Sequence, residues 1–176
     1  RLMTKLYKRN PRELAKSEYD TIQASRERLF ERTEDFRFPE LYDHHGSEAI
    51  HLAFKEDFEG DRVFAFVAGL TGMVMAAYDY QREFYLLDTV DPQKLYNSAR
   101  NIEIAAWKLS HDRREDGRLF LLTNSITDEI QNLSYARLIG KLIATQDNIA
   151  EIMANKQNRI IRKVFQKMAT AVFLPI

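Results

Sequence analysis

The spacing of apolar side chains along the chain predicts a protein built from helices. The clearest pattern lies in residues 132–172, which contain no proline and only one glycine, Gly140. A continuous helix of this length would extend for about 60 Å at 1.5 Å per residue. We therefore predict a long C-terminal helix. Its apolar positions recur at the spacing of one helix face: Tyr135, Ile139, Leu142, Ile149, Ile152, Ile160, Val164 and Met168.

A second helix is predicted at the most apolar segment, residues 63–78, which carries no charged side chain. The segment is shorter than the roughly 20 residues that cross a bilayer core, so we interpret it as a buried central helix that continues to Leu87. Small residues at steps of four let a neighbouring helix approach closely. These residues are Ala65, Ala68, Gly69, Gly72 and Ala76.

Two Asx-Pro pairs mark further helix starts, because Asn or Asp caps a helix and proline suits its first position. Asn10-Pro11 predicts a helix to about Arg32, and Asp91-Pro92 predicts one with a bundle seam from Leu95 to Leu109. We therefore predict one all-α domain over residues 1–176, an elongated bundle of five or six helices. Residues 1–9 are expected to form a flexible basic arm.

Charge is balanced overall but is distributed unevenly. The chain has 26 basic and 26 acidic residues, with a net charge of +5 in residues 1–16, +5 in residues 132–176 and −10 between them. The simplest interpretation is solvated helix faces, and the alternative is that the basic ends approach an anionic surface such as lipid headgroups. Nucleic acid is not expected as a partner, because stacking aromatics are not interleaved with the basic residues.

Several kinds of chemistry are excluded or disfavoured by the residue types. The chain has no cysteine, which excludes disulfides, thiolate zinc sites and thiol nucleophiles. We find no phosphate-binding loop, no dinucleotide fingerprint and no nucleophile elbow. The sequence therefore predicts no cofactor and favours a protein that is not an enzyme.

One cluster of polar residues has ligand chemistry. His44, Glu48 and His51 lie at or near the start of a short helix, and imidazole and carboxylate groups can bind zinc or another divalent ion. The alternative is a polar loop and helix terminus with no metal. Asp79, at the end of the apolar segment, is a candidate acid or base. The alternative is that it pairs with an arginine or marks the exit of the helix into solvent.

Two further groups of residues are candidates for interaction. Polar side chains on the predicted helix after Pro92 are expected to fix the register of the bundle or to line a small-ligand site: Asn97, Arg100, Asn101 and Glu103. The apolar tail is expected to dock on its own domain, or otherwise on a partner or membrane, through Phe173, Leu174 and Ile176.

Three whole segments carry a resemblance to a known family. They are YNSARNIEIAAWKLS (96–110), NLSYARLIGKLIATQDNIAEIMANKQNR (132–159) and the closing ATAVFLPI. They resemble uncharacterised exported lipoproteins of Gram-negative bacteria, of the Acinetobacter and Moraxella type. The resemblance implies a signal peptide and a lipidated cysteine upstream of Arg1, and a periplasmic, membrane-anchored protein.

These observations lead to three functional hypotheses. The first is a non-catalytic cell-envelope lipoprotein that acts through contacts with a protein partner, with possible membrane-surface contact through its basic termini. The second is a carrier of a small ligand or lipid, whose cavity would be lined by Phe64, Met73, Met75 and Trp107. The third is a metal-dependent enzyme built on the His/Glu cluster.

Overall fold

A computed structural model describes residues 1–31, 34–81, 83, 88–123 and 133–172. For residues 34 and 160–172 it describes the backbone alone. Within these ranges the protein forms seven α-helices and no β-strand, so the predicted all-α bundle with a long last helix is confirmed. The number of helices exceeds the five or six expected. The helices are α1 (Leu2–Arg9), α2 (Pro11–Leu14), α3 (Ile22–Phe30), α4 (Gly46–Leu52), α5 (Arg62–Ala77), α6 (Pro92–His111) and α7 (Ser134–Val172).

The extra helices come from the N-terminal region, where two predictions were wrong. Residues 1–9 form α1 rather than a flexible arm, because Met3, Leu6 and Tyr7 share one helix face and are buried in the core. The helix expected from Pro11 to Arg32 is divided into α2 and α3. Thr21 starts α3, since its hydroxyl accepts a hydrogen bond from the Ala24 amide at 3.0 Å.

Helix α5 forms the centre of the core, as predicted. Every residue from 61 to 70 is buried. Small residues let α4 pack against it: a Cβ added at Gly69 would lie 2.6 Å from the Gly46 carbonyl oxygen and 2.7 Å from the Ile50 amide. The predicted role of the small residues in close helix packing is therefore confirmed at Gly69.

The C-terminal end of α5 differs from the prediction. The helix ends at Ala77, and the backbone turns through Asp79 and Tyr80, which have φ values of 51° and 57°. Left-handed residues of this kind end a helix, so the predicted extension was wrong at residues 78–81 and 83. Residues 82 and 84–87 of that extension lie outside the described residues.

The predicted seam of α6 is confirmed except at one step, where Ala105 rather than the expected Ala106 is buried, and α7 packs along α6. Its inward positions are at most 2% exposed: Leu95, Ala99, Ile102, Ala105 and Leu109. Asp91 caps α6 by accepting a hydrogen bond from the Gln93 amide at 2.8 Å. With 39 residues, α7 extends for about 58 Å at 1.5 Å per residue. Its first turn reaches α1, where the Tyr135 hydroxyl donates to the Lys5 carbonyl at 2.8 Å.

Among the described residues, no helix combines the length and the apolar character that crossing a bilayer requires.

Candidate binding sites

A broad groove lies between the N-terminal helices and the loop that follows α6. We call it the cationic groove; its volume is about 1060 Å³. Asn10, between α1 and α2, holds the two walls together. Its side-chain amide donates to the Leu122 carbonyl at 2.9 Å, and its side-chain oxygen accepts from the Leu122 amide at 2.8 Å. These two bonds tie positions that are 112 residues apart in the chain.

Basic side chains surround the groove. Six cations and one carboxylate, that of Glu13, line it; the cations are Arg9, Arg12, Lys16, Arg113, Arg114 and Arg118. Among the described side chains, Lys16 pairs with Glu13 at 2.9 Å, Arg118 with Asp116 at 2.6 Å and Arg114 with Glu56 at 3.9 Å. Arg12 and Arg113 have no carboxylate within ion-pair distance among the described side chains. The groove is therefore electropositive.

The floor of the groove is apolar and is supported from below. Leu119, Phe120 and Leu122 contribute to it. Two guanidinium groups contact the ring of Phe120, with the Arg62 carbon 5.0 Å and the Arg114 carbon 5.2 Å from its centroid. Such cation–π contacts hold a ring in place. A ligand with an anionic group and a neighbouring apolar part would match these surfaces.

A second opening, which we call the neutral cleft, lies between the C-terminal half of α5 and the first half of α6. Its volume is about 460 Å³. It brings together four residues that the sequence singled out as candidates for a site, Glu48, Met73, Asn97 and Asn101, together with others that it did not. The cleft residues are His45, Gly46, Ser47, Glu48, Gly72, Met73, Ala76, Ala77, Tyr80, Lys94, Asn97, Ser98 and Asn101.

The predicted metal site does not assemble. Glu48 lies near His44 and His45, with Nδ1–Oε2 distances of 3.6 and 3.8 Å, while the predicted ligand His51 is exposed on α4. The part of the chain that the structure describes contains no group of three His, Cys, Asp or Glu residues placed to hold a metal ion. Asp79 pairs with Lys94 at 2.5 Å on the surface, so its partner is a lysine rather than the expected arginine.

The polar residues on α6 divide between two roles. Arg100 bridges to Asp147 on α7 at 2.7 Å and to Glu103 one turn away at 3.2 Å, so these side chains help to fix α6 against α7. Asn97 accepts a hydrogen bond from Gln93 on its own helix at 2.8 Å. Asn97 and Asn101 face the neutral cleft instead.

Two other sequence predictions concern apolar residues. The expected carrier cavity does not form, because Phe64 is 2% exposed and packs edge-on against Phe38, whereas Trp107 is 58% exposed and stacks on His111. Of the four expected lining residues, Met73 lines the neutral cleft. The tail residues Phe173, Leu174 and Ile176 lie outside the described residues.

A buried polar cluster at the N-terminal end of α5 was not predicted. Arg62 is 1% exposed, and its guanidinium donates to the carbonyls of Ala53, Lys55, Glu56 and Phe58 at 2.6 to 3.3 Å. The Tyr7 hydroxyl donates to Asp61 at 2.5 Å. The sequence shows only that Asp61 and Arg62 end the apolar segment, and nothing local indicates their burial.

Burial shifts the pKa values of this cluster. Desolvation raises the pKa of Asp61 to about 6, although hydrogen bonds from Tyr7 and the Phe64 amide oppose the shift. Desolvation, with the charge of Asp61, also raises the pKa of Tyr7 well above its usual range. Burial lowers the pKa of Arg62, but a guanidinium stays protonated near neutral pH. Because its polar groups are engaged with one another, we assign this cluster to stability.

Comparisons with protein-family models, with curated proteins and with solved structures found no match. The functional argument therefore rests on the two openings and their chemistry.

Proposed function

We propose that this protein is a non-catalytic cell-envelope protein that binds anionic lipid headgroups at a membrane surface through the cationic groove. The observation that carries the proposal is the ring of six cations around an apolar floor. Arginine and lysine attract phosphate, and arginine binds it through two parallel hydrogen bonds. The apolar floor would accept the glycerol backbone or the start of an acyl chain.

The charge pattern of the chain supports this assignment. The alternative interpretation of the N-terminal basic residues was that they approach an anionic surface, and Arg9, Arg12 and Lys16 line the same groove as Arg113, Arg114 and Arg118. Each basic residue near an anionic membrane contributes about 1 kcal/mol to binding. Several cations on one face would therefore give measurable affinity without a membrane-spanning helix.

Vesicle flotation tests the proposal, comparing vesicles of phosphatidylglycerol and phosphatidylcholine with vesicles of phosphatidylcholine alone. Arg12 and Arg113 are exposed, so R12E/R113E should leave the fold intact. We expect the double variant to bind the anionic vesicles at least about ten-fold more weakly, as the loss of two basic contacts predicts, and added salt to weaken the wild type.

A matched control carries the same change in charge elsewhere. Lys55 and Arg137 are exposed and lie outside the groove, so K55E/R137E should bind nearly as the wild type does. Equal losses in both variants, or equal binding to both kinds of vesicle, would contradict a headgroup site. Tighter binding to poly-glutamate than to anionic vesicles would favour an acidic protein partner instead.

The localisation belongs to the same proposal and rests on the resemblance of the segments at 96–110 and 132–159. We propose a periplasmic protein that a lipid anchors to the membrane. The coding sequence upstream of Arg1 tests this directly, because a signal peptide followed by a lipidation-site cysteine is required. Fractionation of cells that express the full gene should place the protein with the membranes, and a soluble cytoplasmic product would contradict the proposal.

A further inference from the structure

A third opening lies where α1, α3, α5 and α7 meet. Among the described residues it shares no lining residue with the cationic groove or the neutral cleft. We call it the apolar groove; Leu2, Phe30, Val67 and Leu142 line it, one residue from each of these helices. Its volume is about 410 Å³, within the roughly 300–1,000 Å³ of small-molecule sites. Because residues of four helices surround it, the groove can cover a ligand on several sides.

Most of the side chains that line the apolar groove are apolar. Four of them are almost completely buried and form its floor: Met3, Leu29, Val67 and Leu70. Others are open to solvent, since Leu138 and Leu142 are half-buried and Phe30 is 62% exposed. Accessible apolar surface at a concave site favours an apolar ligand, because binding removes that surface from water.

Three cations, Arg1, Arg26 and Lys141, line the same groove and are exposed. None of the described residues that line it is acidic. None of the three cations forms an ion pair with a described side chain. Arg1 belongs to the basic segment 1–16 and Lys141 to the basic segment 132–176, so the fold brings both basic segments to this groove.

The acidic residues next to Arg26 in the chain have other partners. Glu27 accepts a hydrogen bond from Gln23 at 2.7 Å, and Glu31 pairs with Arg28 at 2.8 Å. Arg26 itself has a long contact of 3.4 Å with the amide oxygen of Gln23. Its charge is therefore available to a ligand in the groove.

The hydroxyl groups in the groove are engaged within their own helices. Thr71 donates to the Val67 carbonyl and Thr145 donates to the Lys141 carbonyl, each at 2.7 Å. Among the described side chains that line the groove, the donors that remain for a ligand are the three cations. Cationic donors bind a carboxylate more strongly than a neutral acceptor. A matching ligand therefore has an anionic head beside an apolar chain.

We propose that the apolar groove binds a fatty acid, with the hydrocarbon chain on the buried floor and the carboxylate at the three cations. A concave site of this size fits a single hydrocarbon chain, whereas a bilayer surface would reach its rim alone. The proposal is independent of the headgroup site in the cationic groove.

Titration of isotope-labelled protein with octanoate, decanoate and dodecanoate, each below its micelle concentration, tests the proposal. We expect saturable amide chemical shifts at residues of the apolar groove. The affinity should rise by up to about four-fold for each added methylene, because each one buries further apolar area. Decyltrimethylammonium has the same chain as decanoate but a cationic head, and it should bind at least about ten-fold more weakly.

A double variant tests the cations. Arg26 and Lys141 are exposed, so R26E/K141E should fold as the wild type does. We expect it to bind decanoate at least about ten-fold more weakly, since two hydrogen bonds to a charged group are lost. K55E/R137E makes the same change in charge outside the groove and should bind decanoate nearly as the wild type does.

Exchanging the variants between the two experiments separates this site from the cationic groove. R12E/R113E should retain decanoate binding, and R26E/K141E should retain binding to anionic vesicles. Loss of decanoate binding in R12E/R113E, with R26E/K141E unaffected, would assign the ligand to the cationic groove and overturn the proposal. No saturable shift with any of the three acids, or equal binding of decanoate and decyltrimethylammonium, would overturn it as well.

Discussion

The two ends of α5 carry buried polar groups in opposite ways. At the N-terminal end, the Arg62 guanidinium donates to four carbonyls and the Tyr7 hydroxyl donates to Asp61. At the C-terminal end, Ser98 and His45 have buried atoms without partners among the described residues. The first arrangement stabilises the fold, because both terminal nitrogens of the Arg62 guanidinium and the Tyr7 hydroxyl meet acceptors, although Nε of Arg62 has no partner among the described residues. The second leaves buried polar atoms unpaired, which costs stability.

Depth of burial therefore does not by itself show which polar groups serve a function. Arg62 is the more deeply buried and the more unusual residue, since charged side chains are rarely fully buried without partners. Its hydrogen bonds nevertheless go to neighbouring backbone carbonyls. Ser98 is an ordinary residue type, yet its buried hydroxyl has no partner among the described residues.

Replacement of Arg62 should have the largest effect. R62M removes the donor to four buried carbonyls, and the breaking of a buried charged network costs about 3–5 kcal/mol. Urea unfolding should show this loss in the free energy of unfolding. R114M is the control, because the Arg114 guanidinium also lies near the Phe120 ring but is partly exposed. A loss of less than about 1 kcal/mol in R62M would contradict the structural role.

The pH dependence of stability should report Asp61. Its pKa of about 6 in the folded protein exceeds the ordinary value of 3.8, so the folded state binds the proton more tightly than the unfolded state does. The stabilisation is fully present below pH 3.8 and is lost as the pH rises through about 6. D61N keeps a side-chain oxygen that caps the helix. It should remove this pH dependence of the free energy of unfolding, which amounts to about 3 kcal/mol at most.

The measurement is the difference in the free energy of unfolding between wild type and D61N from acidic to neutral pH. We expect the wild type to lose stability relative to D61N as the pH rises. D116N is the control. Because Arg118 lowers the pKa of Asp116, the wild type should gain stability relative to D116N as the pH rises. A flat difference for D61N would show that Asp61 is not desolvated.

The contact between α4 and α5 should be sensitive to one methyl group. A Cβ at position 69 would lie 2.6 Å from the Gly46 carbonyl oxygen, which is backbone and has little freedom to move. G69A should therefore lower the free energy of unfolding by about 1–3 kcal/mol. Gly140 lies on an open face of α7. The same change in G140A should therefore raise the free energy of unfolding by about 1 kcal/mol. Equal shifts in thermal denaturation would disprove the close approach.

The smallest effect is expected at Ser98. Because its hydroxyl has no described partner, S98A removes an unmet polar group and should leave the protein as stable as the wild type or more stable by up to about 1 kcal/mol. Thermal denaturation of the free protein checks this. A clear loss of stability would mean that the hydroxyl is already bonded, and the contrast between the two ends of α5 would disappear.

The cationic groove shows how far sequence reasoning could go on a site. The excess of basic residues at 1–16 was visible, as was a charged turn at 112–117. No local pattern brings Arg12 beside Arg113, because the walls are joined by Asn10 and Leu122, 112 residues apart. The predicted metal site of His44, Glu48 and His51 failed for a related reason. The turn before α4 brings His45 close to Glu48, whereas helical spacing alone favoured His51.

The sequence by itself determined the all-α class, the span of α6, the long α7 and the close packing at Gly69. These depend on helical periodicity, caps and small residues, which act within a few turns of the chain. Only the tertiary structure decided that residues 2–9 are helical, that Arg62 is buried and that Ser98 and His45 line one cleft. Those outcomes depend on which surfaces meet across the fold, and packing between distant segments leaves no periodic trace in the chain.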